Sequence, residues 1–229
     1  MALTKEELQH TLVVEFDWTV IKGYDLLVKT AAKRLAAEGV KLDSIAAAKF
    51  LVGKPFAVGL RDLCAAQGQE TVDVPTVVGE INAAFAEAVN AGLDAIPAGF
   101  RDFAKKFLSC GVATKILLVT RGNADKVKEA LGIDSENLLV TADESALFGA
   151  TSYEAFRILC HRGNADERLS VAVVGSGASV KAAVGAAMGA LAQVTPANEW
   201  QDFTGADVLF DEFKGGLFAD VERLLRLKA

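Results

Sequence analysis

From Thr114 to Phe210 short apolar, β-branched runs alternate with amphipathic stretches, and this alternation restricts the fold more than any other feature of the chain. The runs TKILLVT (114–120), NLLVT (137–141), LSVAVVG (169–175) and Ala190–Thr195 are too short for helices. They are also too evenly apolar for strands with one wet face, so they suit strands covered on both sides. Between them, Ala124–Leu131 closed by Gly132, Ser152–His161 and the small-residue stretch Ser179–Met188 carry helical spacing. Asp207–Phe210 adds a short strand before a closing helix, Leu217–Leu227. Strands alternating with helices require right-handed crossovers, which predicts an α/β fold on a doubly wound, mainly parallel sheet.

The N-terminal part reads differently. TLVVEF (Thr11–Phe16) is a first buried strand, but Tyr24 to Asn90 is Ala/Leu-rich with apolar residues three and four apart. Breaks at Gly39, Gly53-Lys54-Pro55, Gly68 and Val74-Pro75 divide it into about four helices. A further helix runs from Pro97 to about Ser109, with Pro97 near its first turn. The expected organisation is an α/β core of residues 1–22 and 93–229 with a small all-helical cap, residues 23–92, inserted after strand one. Open α/β sheets bind ligands beyond the carboxyl ends of their strands, so an insert leaving strand one is a candidate lid.

Charge narrows the partners. With 24 Lys and Arg against 30 Asp and Glu, the net charge of −6 opposes the basic footprint of a nucleic-acid binder. No apolar stretch reaches the roughly 18 residues of a membrane span. The opening MALTKEELQH has no charged-then-apolar leader pattern, so a cytoplasmic location is the expectation. Three widely spaced cysteines, Cys64, Cys110 and Cys160, read as small core residues instead of a disulfide or zinc framework. His10 and His161 read as a surface residue before a strand and a helix-end residue.

Chemistry is expected at the strand ends. Glu15, Asp17 and Thr19 follow the first strand, Thr120 and Arg121 the second, Asp143 and Glu144 the third, Gly175 to Ser179 the fourth. Glu15 and Asp17 are two apart, so in extended chain both carboxylates point one way. They either bridge the following turn or mark a site.

In order and spacing these ends resemble the haloacid dehalogenase-like (HAD) superfamily of phosphatases and related hydrolases, in its branch with a helical cap. VVEFDWT resembles that family's hydrophobic-DxDxT motif, and ILLVTRGN its second motif. TADESALFGATSYEAF lies where a KPxPxxF-type third motif is expected, and VAVVGSGASVKAAVGAAMGA resembles the fourth, a strand with GDxxxD and an Ala-rich helix. The resemblance implies that the first acid attacks phosphorus, the second serves as acid and base, Ser/Thr and Lys hold the phosphoryl group, and motif-four acids complete a Mg²⁺ site. On this chain the catalytic positions are Glu15 and Asp17, which are also the candidate metal ligands, while Thr120, Arg121, Ser176 and Gly177 are the phosphate or anion contacts.

Three positions depart from the pattern. Glu15 stands at the nucleophile, Ala150 at the lysine and Ser176 at the motif-four aspartate, while Ser179, Val180 and Lys181 fill the neighbourhood of the later acid. An extra methylene moves a nucleophilic carboxylate by about 1 Å, and misplacement on that scale reduces rate about 100-fold. Loss of metal ligands and lysine together removes the charge neutralisation on which phosphoryl transfer depends. The expectation is an impaired hydrolase that binds a small anionic or phosphorylated metabolite at the Gly175-Ser176-Gly177 turn, with Thr120 and Arg121 adding a hydroxyl and a guanidinium fork. Three alternatives stay open: a slow phosphohydrolase using Glu15 and Asp17, a non-catalytic interaction or regulatory module, and a dinucleotide binder through Gly175–Gly177. Homodimers and protein partners leave no signal in the sequence.

Overall fold

The computed structural model describes residues 10–52, 54–110, 114–142 and 152–226. Its sheet has six strands, all parallel: β1 (His10–Glu15), β2 (Thr114–Thr120), β3 (Leu138–Ala142), β4 (Ser170–Val174), β5 (Gly189–Gln193) and β6 (Val208–Phe210). The order is β3-β2-β1-β4-β5-β6. The chain therefore winds outward from β1 in one direction and returns through β4 on its other side. That reversal opens a crevice at the carboxyl ends of β1 and β4, where ligands sit in sheets of this kind.

Successive side chains of a strand face opposite ways, and β1 fills two cores accordingly. Leu12 and Val14 enter a cluster with Phe100, Phe107, Leu118 and Val221, built under α6 (Ala98–Leu108), α7 (Ala124–Leu131) and α10 (Gly215–Leu225). Val13 enters the opposite cluster with Phe156, Ala172, Val180 and Ala183, under α8 (Tyr153–Arg162) and α9 (Gly177–Gly185).

Between β1 and α6 lie a short helical turn, α1 (Phe16–Thr19), and four longer helices: α2 (Gly23–Leu35), α3 (Ser44–Phe50), α4 (Phe56–Ala66) and α5 (Val74–Ala91). The last four bury a hydrophobic cluster of their own, with Leu27, Leu35, Leu60, Ile81 and Phe85 at its centre. No described helix is long and apolar enough to cross a membrane.

Several local expectations shift. The first strand stops at Glu15 instead of continuing through Phe16. Phe16 is fully buried, its ring 6.1 Å from that of Phe100, and turning the chain into α1 is what delivers it to the core. The helix after β4 begins at Gly177, two residues before the Ser179 start read from spacing, because the Ser176 hydroxyl caps it. His10 opens β1 half-buried instead of standing on the surface before it. Cys64 and Cys160 are core residues, whereas Cys110 is half-buried at the end of α6.

Candidate functional site

Every described strand-end residue singled out in the sequence lies at or beside the β1–β4 crevice, but the two carboxylates do not point the same way. Glu15 ends the strand and Asp17 sits in the first turn of α1, so helical geometry separates what extended chain would align. Thr19 Oγ1 donates to the Glu15 carbonyl at 2.9 Å, which closes the turn.

Glu15 faces β4. Its Oε1 accepts from the Ser179 hydroxyl at 2.8 Å, and its Oε2 from the Gly175 amide at 3.2 Å. Ser176 Oγ lies 2.8 Å from Ser179 Oγ and accepts the Ser179 amide at 3.1 Å. Asp17 faces β2. Its Oδ1 accepts from Thr120 Oγ1 at 2.6 Å and its Oδ2 from the Arg121 amide at 2.7 Å. Thr120 Oγ1 also accepts the Gly122 amide at 2.9 Å. Both carboxylates are almost fully enclosed, Glu15 at 4% and Asp17 at 1% exposure, a burial that only charge-assisted hydrogen bonds or a cation make tolerable.

The turn expected to cradle an anion is committed internally. Gly177 donates its amide to Gln201 Oε1 at 2.9 Å, and a Cβ on Gly177 would lie 2.1 Å from the Asp202 carbonyl oxygen. This glycine admits the backbone of the loop after β5. Asn198 pins the same loop by donating to the carbonyls of Gly175 and Gln193, each at 2.9 Å. The Gly177 amide, part of the turn read as a dinucleotide site, is thus taken by Gln201.

Helix α5 contacts the residues that follow β2. Arg121 is half-buried, and its Nη1 donates to Asn82 Oδ1 of α5 at 3.2 Å. The Asn123 amide donates to Asn90 Oδ1, also of α5, at 2.7 Å. Trp18 of α1 stacks on Phe85 of α5 with ring centres 5.6 Å apart. At the mouth, Tyr24 of α2 meets Trp200 of the loop after β5 edge-on at 6.4 Å. Burial, reinforced by the neighbouring Asp25 carboxylate, pushes the Tyr24 phenol up to about 12.

Sequence reasoning named Glu15, Asp17, Thr120, Arg121, Ser176 and Gly177 but not which strand-end residues pair, and it missed the amide side chains around them. Ser179 was visible as the second serine of an S-x-x-S helix start; Gln201, Asn198, Asn82 and Asn90 carry no local signal. Asp143, Glu144 and Ala150 lie outside the described residues.

Among the described residues the donor set does not fit the Mg²⁺ that the resemblance implies. That ion takes octahedral oxygen ligands, with carboxylates among them. Among the described residues no three His, Cys, Asp or Glu side chains gather to hold a metal. Both oxygens of Glu15 and both of Asp17 already accept hydrogen bonds from protein donors. A cavity of about 400 Å³ lies away from these strand ends, lined by Arg61, Cys64, Gln69 and Asp73 of α4 and the segment leading into α5.

No protein-family model matches the sequence, and no curated protein does. Solved structures do match the fold. β-Phosphoglucomutase from Clostridium difficile aligns with a TM-score of 0.71 at 13% identity, over 96% of this chain and 100% of that one. CbbY from Rhodobacter sphaeroides, solved with phosphate, gives 0.66 at 17% identity over 90% of this chain and 95% of the other. A haloacid dehalogenase-like protein from Agrobacterium tumefaciens gives 0.62 at 11% identity over 94% and 99%.

Proposed function

The chain has the fold of the haloacid dehalogenase-like hydrolases, and from that premise we propose that it descends from phosphohydrolases and has lost most or all phosphoryl-transfer turnover. Residues 23–92 serve as a cap on a core formed by 1–22 and 93–229. One observation carries the reading: Glu15 and Asp17 take up the hydroxyl and amide donors that a phosphoryl group would need. A phosphate dianion entering here meets two buried negative charges and donors already turned to them. Catalysis of this type rests on positioning and charge neutralisation, and neither is supported by this arrangement.

The test is hydrolysis of a broad panel of phosphate monoesters with Mg²⁺, comparing the unmodified protein with Glu15→Ala and with Glu15→Asp/Ala150→Lys/Ser176→Asp. Background rates in the unmodified protein and a gain in the triple variant are expected. Turnover in the unmodified protein that disappears in Glu15→Ala overturns the reading and makes Glu15 a working nucleophile or ligand.

Binding of a small phosphorylated or anionic ligand without turnover is the second reading, favoured by the cluster of Thr120, Arg121, Gly175 and Ser179 donors around the crevice. It requires a ligand to displace an internal carboxylate. Titration with inorganic phosphate followed by ³¹P NMR tests it, with tighter binding expected in Glu15→Ala than in the unmodified protein.

A further inference from the structure

Ser179 has one hydroxyl proton, and Glu15 Oε1 receives it. The contact between the two serine hydroxyls, which by itself permits either donor, is thereby given a direction: Ser176 donates to Ser179, and Ser179 to Glu15. A hydroxyl chain that ends on a carboxylate is polarised along its length, which strengthens each bond. The same Ser176 oxygen accepts the Ser179 amide, so the chain is anchored in the first turn of α9.

Ser176 stands where the resemblance to the HAD motifs calls for the first acidic residue of a Mg²⁺ site, and Ser179 lies beside Val180, in the neighbourhood of the second. Two acids plus a dication carry no net charge, and neither do the neutral side chains of Ser176, Ser179 and Val180 that stand there without an ion. Exchanging one set for the other leaves the field at Glu15 compensated and dispenses with the ion. We infer that the Ser176–Ser179 hydroxyl chain has replaced a divalent cation at this strand end, making Glu15 a metal-independent cross-link between β1 and α9. The inference rests on the reading of the strand ends as a former phosphoryl-transfer site.

The full-length protein is titrated with Mg²⁺ and with Mn²⁺, by calorimetry and by the electron paramagnetic resonance signal of free Mn²⁺, and its thermal unfolding is compared in Mg²⁺ and in EDTA. Expected are no saturable binding, one Tm in both solutions, and a Tm for Ser179→Ala that is lower by the same amount in both. Ser176→Asp/Ser179→Asp is expected to gain a Tm that rises with Mg²⁺. Saturable Mg²⁺ or Mn²⁺ binding that Glu15→Gln abolishes overturns the inference. So does a Ser179→Ala Tm equal to that of the unmodified protein, a result that does not depend on Glu15→Gln folding. Metal binding without turnover sinks this inference and leaves the impaired-hydrolase reading intact; turnover in the unmodified protein sinks that reading whatever the metal titration gives.

Discussion

The Thr120 hydroxyl donates to Oδ1 of Asp17 at 2.6 Å, fastening the turn after β1 to the end of β2. Thr120 is fully buried, and its oxygen also accepts the Gly122 amide at 2.9 Å, so it serves as donor and acceptor at once. Thr120→Val keeps the shape and deletes both bonds. A loss of about 1–3 kcal/mol in urea unfolding is expected, with Thr120→Ser recovering most of it. A Thr120→Val protein as stable as the original would mean that water or another donor substitutes at Asp17.

Gly177→Ala addresses the loop after β5. The new methyl would meet the Asp202 carbonyl oxygen at 2.1 Å, closer than any relaxed contact, and backbone cannot swing aside as a flexible side chain does. The substitution is expected to destabilise by about 1–3 kcal/mol or more and to weaken the Gly177 to Gln201 bond. Amide hydrogen exchange over residues 195–203 checks it: faster exchange confined to that loop is the expected result, and unchanged exchange would place the strain elsewhere.

Legibility from sequence followed the range of the interactions involved. TKILLVT gave β2 to the residue, and Gly132 ended α7 as read, because both depend on neighbours within a few positions. The sheet order followed once strands and helices alternated, since handed crossovers leave few arrangements. Phe16 was misread as strand because what settles it is the Phe100 ring, remote in sequence. At the site the residue types were legible but their pairing was not. Nothing local to Glu15 indicates that its proton donor is Ser179, and nothing near Gly177 points to Gln201.

The stack of Trp18 on Phe85 ties the turn after β1 to the longest helix of the insertion. Phe85 is fully buried, so Phe85→Ala is expected to cost about 3–5 kcal/mol. The specific part is read by a double-mutant cycle with Trp18→Leu, where a coupling of about 0.5–1.5 kcal/mol is expected. Of the two tryptophans Trp200 is 48% exposed, so acrylamide quenches it first in the unmodified protein, and Phe85→Ala adds a second, accessible emitter. Strict additivity in the cycle would mean that the rings touch without coupling.

Alkaline stability follows from Cys160. This thiol is fully enclosed under the sheet with its sulfur 3.9 Å from that of Met188, and burial pushes it from 9.0 up to about 11. Between those values an unfolded chain has lost the proton while the folded one keeps it. The unfolded state then binds fewer protons, so stability falls as pH rises through that window, and below the unfolded value the contribution is fully present. The total is at most about 3 kcal/mol, at about 1.36 kcal/mol per pKa unit. Urea midpoints measured from neutral to strongly alkaline pH are expected to decline across this range, and Cys160→Ala, less stable at neutral pH, to decline less steeply. Parallel slopes for the two proteins would assign the alkaline loss to other groups, beginning with Tyr24, whose phenol is also held up by burial.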